Sequence, residues 1–210
     1  MRRTKQEAEQ TRQHIIDAAE QLFLINGVAH TSLDMIAREC GVTRGAVYWH
    51  FENKAHLFHE MLNQIRMPMA ELSEQLSGHD DTDPLFSLYR LSVQCVMRLV
   101  ETPRDRRVIT ILLHRCEFTE ELREAETRNN AFINEFIALC ETLFKQQAAR
   151  LYPHITPRLA ARTLHAFFVG VMSDYLRDPD LLIPVRDIEP MFETLFKGMV
   201  KDWNQSSTAT

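Results

Sequence analysis

Apolar residues recur in this chain at spacings of three and four almost from end to end. No segment shows the strict alternation of a half-buried strand. That periodicity points to an all-α fold. Only 6 glycines among 210 residues leave little material for a turn-rich β architecture. With 45% hydrophobic and 25% charged residues the chain can bury a real core, which excludes intrinsic disorder and collagen-like folds. No run approaches the ~18 apolar residues of a membrane span. The polar start MRRTKQEAEQTR continues without an apolar secretory region. The scattered cysteines Cys40, Cys95, Cys116 and Cys140 are then expected as reduced thiols of a cytoplasmic protein.

About nine helices are predicted. The first runs from Lys5 to Asn26, with Ile15, Ala19, Leu22 and Phe23 on one face, and Gly27 ends it. A second begins at Thr31 or Ser32, where Asp34 stands three residues after Thr31 as a short-armed capping box. Its stripe is Leu33, Ile36, Ala37 and Cys40, and Gly41-Val42 breaks it after about nine residues. Thr43 caps a third helix to about Phe51, anchored by Val47 and Phe51, and Asn53 caps a fourth from Lys54. Pro68 is expected to kink that fourth helix, and Ser77 to Pro84 reads as a loop. Further helices are predicted from Pro84 to Glu101, Pro103 to Arg115, Thr119 to Arg150 (with a break left open), Pro157 to Arg177 and Asp187 to Asn204. Gln205 to Thr210 reads as a frayed tail.

Two short helices joined by a glycine turn are the parts of a helix-turn-helix, whose second helix enters the major groove of DNA. The exposed face of the third helix would carry Thr43, Arg44, Gly45, Ala46, Tyr48, Trp49 and His50. Arg44 can form a bidentate pair with guanine. Gly45 costs a helix about 1 kcal/mol against alanine, a tolerance that close approach to DNA would explain. Tyr48, His50 and Thr43 can donate to phosphates, with Thr31, Ser32 and Lys54 beside them. On pattern alone the same residues also fit an ordinary helical corner, with Tyr48 and Trp49 as core or interface aromatics.

The segment Thr31 to Leu57, TSLDMIARECGVTRGAVYWHFENKAHL, resembles the DNA-binding signature of the tetracycline-repressor (TetR) family. The resemblance rests on Ile36-Ala37, Gly41-Val42-Thr43, Gly45, Tyr48, His50-Phe51, Lys54 and Leu57. With the opening RRTKQEAEQTRQHIIDAAEQLF it covers about the first 57 residues. Cys40 stands where the family usually has alanine. TRGAVYWHF together with HRCEF, His114 to Phe118, resembles the AcrR and TtgR branch, local repressors of multidrug efflux pumps. The resemblance implies a DNA-binding domain over 1–57 and a ligand-binding and dimerisation domain over 58–210. It also implies a palindromic double-stranded operator, no enzymatic activity and release by a hydrophobic or aromatic effector. A metabolic regulator sensing a lipid or acyl thioester, and a helical ligand-binding protein without DNA binding, are the alternatives.

The net charge of −5 argues against a nucleic-acid binder until it is divided. Residues 1–50 carry six Lys or Arg and six Asp or Glu, so the excess lies wholly in 51–210. A neutral head on an acidic body turns that head toward DNA. Arg2, Arg3 and Lys5 are free to reach phosphates or a minor groove.

Ten of the 12 phenylalanines and seven of the nine methionines follow residue 57, and most of them belong to a core. Polar groups set in apolar stretches mark where a small molecule could sit: Thr110, His114 and Glu117 in one helix, Gly170 and Asp174 in another. The resemblance implies effector contacts near Ile109, Leu113, Phe168 and Val169, and His114 and Met172 adjoin them. No metal is expected, because His114 and Cys116 point to different sides of one helix. No cofactor is expected either, since no phosphate-loop, dinucleotide or hydrolase motif occurs. The stripes Leu164, Phe167, Phe168, Val171, Met172, Tyr175, Leu176 and Ile188, Met191, Phe192, Leu195, Phe196, Met199, Val200, Trp203 are wide. They predict a homodimer packed through the two C-terminal helices, with Trp203 in the interface.

Overall fold

The computed structural model describes residues 5–65, 83–181 and 183–203. Among them stand nine α-helices: α1 Lys5–Asn26, α2 Leu33–Glu39, α3 Arg44–His50, α4 Lys54–Asn63, α5 Pro84–Glu101, α6 Pro103–Thr110, α7 Arg123–Gln146, α8 Pro157–Arg177 and α9 Pro184–Met199. No strand forms among the described residues; a lone antiparallel bridge joins Leu151 to Val200. The expected Pro68 kink, most of the loop at 77–84, the cluster Arg2-Arg3 and the tail from 205 lie outside the described residues.

Local chemistry sets most of the helix starts. Ser32, Thr43, Asn53 and Thr156 each accept the amide N–H three residues on, while Pro84, Pro103, Pro157 and Pro184 open their helices. The helix predicted to reach Arg115 departs from that expectation. It is α-helical only to Thr110 and continues as a π turn over Ile111–Arg115. The long helix predicted over 119–150 is α7 flanked by 3-10 turns at Glu120–Leu122 and Ala148–Arg150. The last helix starts at Pro184 rather than Asp187 and ends at Met199, with Pro190 inside it.

The chain divides into two compact units. One holds residues 1–65 with 103–131 and is therefore larger than the first 57 residues. Its core gathers Ile15, Ile16, Ala19 and Phe23 of α1, Ile36 of α2, Val47 of α3 and Leu57, Phe58 and Met61 of α4, all buried. The reason 103–131 joins this unit is on α1. Glu20 is 2% exposed, and Arg104 and Arg107 of α6 supply its counter-charge. Gly27, at φ +84°, then turns the chain so that Val28 N–H donates to the Arg115 carbonyl at 2.9 Å.

The other unit holds residues 66–102 with 132–210. Its core is aromatic: Phe196 lies 4.8 Å from Trp203 and 5.6 Å from Tyr89, and Phe192 lies 5.2 Å from Phe167. This corrects the reading of the α9 stripe. Ile188, Phe192, Phe196, Met199, Val200 and Trp203 are buried within one chain, so Trp203 is a core residue and no interface residue. A stripe this wide is consumed by α5, which packs along α9 and contributes Tyr89 and Phe86 to the rings around Trp203.

Candidate nucleic-acid interface

The two short helices α2 and α3 meet across a turn at Gly41, whose φ of +64° is left-handed backbone that a side chain would strain. Val42 N–H closes the turn on the Ala37 carbonyl at 3.0 Å. On α3 only Val47 is buried, and with Phe51 just beyond the helix it forms the inward anchor. Thr43, Arg44, Gly45, Tyr48 and Trp49 are exposed, and Ala46 and His50 are half-buried. Trp49 is 73% exposed, which removes the alternative of a core aromatic. A Cβ at Gly45 would meet nothing nearer than the Thr43 hydroxyl at 3.9 Å, so no neighbour in the chain requires glycine there.

Two of the predicted contacts are not where sequence reasoning placed them. Thr31 is buried, and its hydroxyl donates to the Gly27 carbonyl at 2.8 Å. The cap of α2 is Ser32 instead, whose Oγ accepts from Met35 N–H at 3.2 Å, and Asp34 takes no part in a capping box. The sequence sets the charge of Lys54 beside a phosphate. Its ammonium is 3% exposed, bonded to the Thr31 carbonyl at 3.0 Å and paired with Glu121 at 2.8 Å. A cation so enclosed holds the chain together; the backbone N–H groups at the start of α4 keep whatever attraction that helix end exerts.

Asp34, which the sequence offers only as a capping-box residue, lies against the exposed face of α3. Its Oδ1 is 3.1 Å from Arg44 Nε, while Arg44 Nη2 donates to Tyr48 Oη at 3.3 Å and the guanidinium lies over the Tyr48 ring. No periodicity or spacing signals a pair that spans the glycine turn. Ser32, Asp34, Arg44, Tyr48, Asn53 and Glu121 line an open groove of about 480 Å³ beside α3.

The expected effector contacts divide between the units. In the first, Ile109 is buried, Leu113 half-buried and His114 exposed, the last two on the π turn. In the second, Phe168 is buried, with Val169 and Met172 half-buried beside it on α8. Among the described residues no three His, Cys, Asp or Glu side chains gather as a metal site would need, and no helix is long and apolar enough to cross a membrane.

A short, mostly exposed helix capped by threonine and set across a glycine turn has the geometry of a helix-turn-helix. The profile of bacterial regulatory proteins of the tetR family matches residues 15–61, and that of the MAATS-type transcriptional repressor C-terminal region matches 83–182. The HTH-type transcriptional regulator TtgR of Pseudomonas putida is 35% identical over 92% of this chain and 93% of its own. The chain belongs to the tetR family. It is a DNA-binding transcriptional regulator and not an enzyme, which sets aside the reading without DNA binding. Among solved structures, NalD, the secondary repressor of the MexAB-OprM multidrug efflux pump in Pseudomonas aeruginosa, is 55% identical. It covers 95% of this chain and 100% of its own, with a TM-score of 0.89. A complex of SmeT with triclosan is 30% identical over 92% of this chain and 93% of its own, with a TM-score of 0.78. SmeT is described as the repressor of the Stenotrophomonas maltophilia multidrug efflux pump SmeDEF.

Proposed function

We propose that this tetR-family regulator is a cytoplasmic homodimeric repressor of a multidrug efflux operon, released from its operator by hydrophobic or aromatic drugs. The observation that carries this reading is the 55% identity to NalD across nearly the whole chain. In it, each subunit lays α3 in the major groove, so the operator is a palindrome with half-sites about one turn, ~34 Å, or somewhat more apart. Arg44 reads a base edge, while Thr43, Tyr48 and His50 position the helix on phosphates. Gly45, with Ala46 beside it, lets the backbone come close. The DNA-binding region is taken as 1–57 and the ligand-binding and dimerisation region as 58–210.

Effector contacts are proposed at Phe168, Val169 and Met172 in the second unit and at Ile109, Leu113 and His114 in the first. An effector that prefers a conformer unsuited to the operator needs only ~1–3 kcal/mol of coupling to act as inducer. The triclosan complex of SmeT supports an apolar aromatic ligand.

The dimer is proposed through α8 and α9, on the faces that the monomer core leaves open. Leu159, Ala166 and Gly170 on α8 and Gly198 on α9 are exposed, and Met191 and Leu195 of α9 are half-buried. Footprinting on the DNA upstream of the protein's own gene and of neighbouring pump genes tests the reading, followed by displacement with a panel of hydrophobic drugs. Protection of a palindrome that such drugs abolish is the expected result. Protection with no response to any of the panel would remove the efflux assignment.

A further inference from the structure

Arg44 is held from two sides. Asp34 of α2 stands 3.1 Å from its Nε as an ion-pair partner, and from α3 itself Tyr48 accepts from Nη2 at 3.3 Å beneath the guanidinium, whose carbon lies 5.3 Å from the ring centre. Both charged side chains stay at the surface, Arg44 63% and Asp34 41% exposed. A guanidinium can grip O6 and N7 of guanine side-on, through Nε and one Nη, or end-on, through both Nη groups. With a carboxylate 3.1 Å from Nε, the side-on approach would drive guanine acceptors against a negative charge. Tyr48 engages one of the two Nη2 hydrogens, and an end-on grip needs only one hydrogen from each Nη group.

We propose that Asp34 is a specificity-determining positioning residue, committing Arg44 to end-on recognition of a single guanine in the operator. The proposal rests on the reading of α3 as the groove-entering helix. Fixing a long side chain before binding removes part of the entropy cost of ordering it. The same carboxylate sits where phosphates approach, so it weakens attraction to any duplex while sharpening the choice among them. Its position in the first turn of α2 also suits the helix dipole. That role touches stability alone and would leave base preference unmoved.

The test compares Asp34→Asn, Asp34→Ala, Arg44→Ala and the double variant Asp34→Asn with Arg44→Ala. Each is titrated by fluorescence anisotropy against the operator, single-base variants of it and a random duplex, with thermal melting to show that the variants fold. Arg44→Ala identifies the base pair that Arg44 reads. At that pair Asp34→Asn and Asp34→Ala are expected to reduce the preference for guanine roughly ten-fold, while affinity for the random duplex rises. Asp34→Asn should alter the base preference at that pair no further once Arg44 is alanine. Unchanged preference in both Asp34 variants, with Arg44→Ala still abolishing it, overturns the proposal and leaves the recognition reading intact. Equal tightening on operator and random DNA also overturns it, since Asp34 would then only withhold Arg44. Base preference that survives Arg44→Ala sinks the recognition reading itself and the proposal with it.

Discussion

Glu20 Oε1 accepts from Arg104 Nε at 2.9 Å and from Arg104 Nη2 at 2.6 Å, while Arg107 lies 3.5 Å from Oε2. The carboxylate is 2% exposed, but Arg104 is 33% and Arg107 42% exposed. The two halves of this pair therefore differ in what their loss would leave behind. Removing the carboxylate strands only cations that water can still reach. Removing Arg104 takes both short hydrogen bonds from an enclosed charge and leaves it only the longer Arg107 pair at 3.5 Å. Arg104→Ala is expected to lower stability by roughly 3 kcal/mol or more and Glu20→Gln by about 1–2 kcal/mol, measured by urea unfolding. The reverse order would show that Glu20 is not held as a buried anion.

Arg44→Ala removes a side chain that nothing in the core needs. Operator affinity should fall by ~1–3 kcal/mol with relaxed preference at one base pair, and the melting temperature should stay put. A gel-shift series at fixed salt checks the first, calorimetry the second.

Lys54 behaves oppositely. Because its ammonium is enclosed by Glu121 and the Thr31 carbonyl, Lys54→Met should destabilise the fold by about 1–3 kcal/mol through the unpaired acceptors it leaves. The dependence of operator affinity on salt should not change, since no phosphate partner is lost. A salt slope shallower by about one charge would return Lys54 to the DNA contacts.

The proposed dimer face is separable from the core. A Cβ at Gly170 or Gly198 meets nothing within 4 Å in its own chain, so Gly198→Glu should split the dimer in sedimentation without unfolding the subunit. Trp203→Glu should instead unfold it, by burying an unpaired charge among Phe86, Tyr89 and Phe196. A folded, monomeric Trp203→Glu protein would contradict the packing described above.

Acid should weaken the fold through two histidines. Burial, and then the charges of Arg128 and His56, hold His59 below its ordinary value, with Glu124 opposing; burial and Arg162 do the same to His165. The folded state therefore favours the neutral rings. Their contribution is complete above the unfolded value of 6.5 and is lost as pH falls from there through the lowered folded values. Chemical denaturation across pH 5 to 8 should show stability declining modestly below about pH 6.5, because water screens both partly exposed rings. His59→Gln and His165→Gln should each flatten that decline.

Much of this protein was legible from residue order, because helix ends are written locally. A hydroxyl or amide side chain at Thr43 or Asn53 reaches an amide N–H three residues on, and proline fits a first turn wherever it stands. The outward face of α3 was equally plain, since one anchor at Val47 leaves the rest of a seven-residue helix facing out. The fate of charges and wide apolar stripes was not. Lys54 and Glu121, Glu20 and Arg104, and Trp203 and Tyr89 meet across long stretches of chain. Periodicity says which side of a helix is apolar, never which neighbour covers it. Whether a lysine meets water, a phosphate or a carboxylate depends on what the folded chain packs around it, and only the tertiary structure decided that.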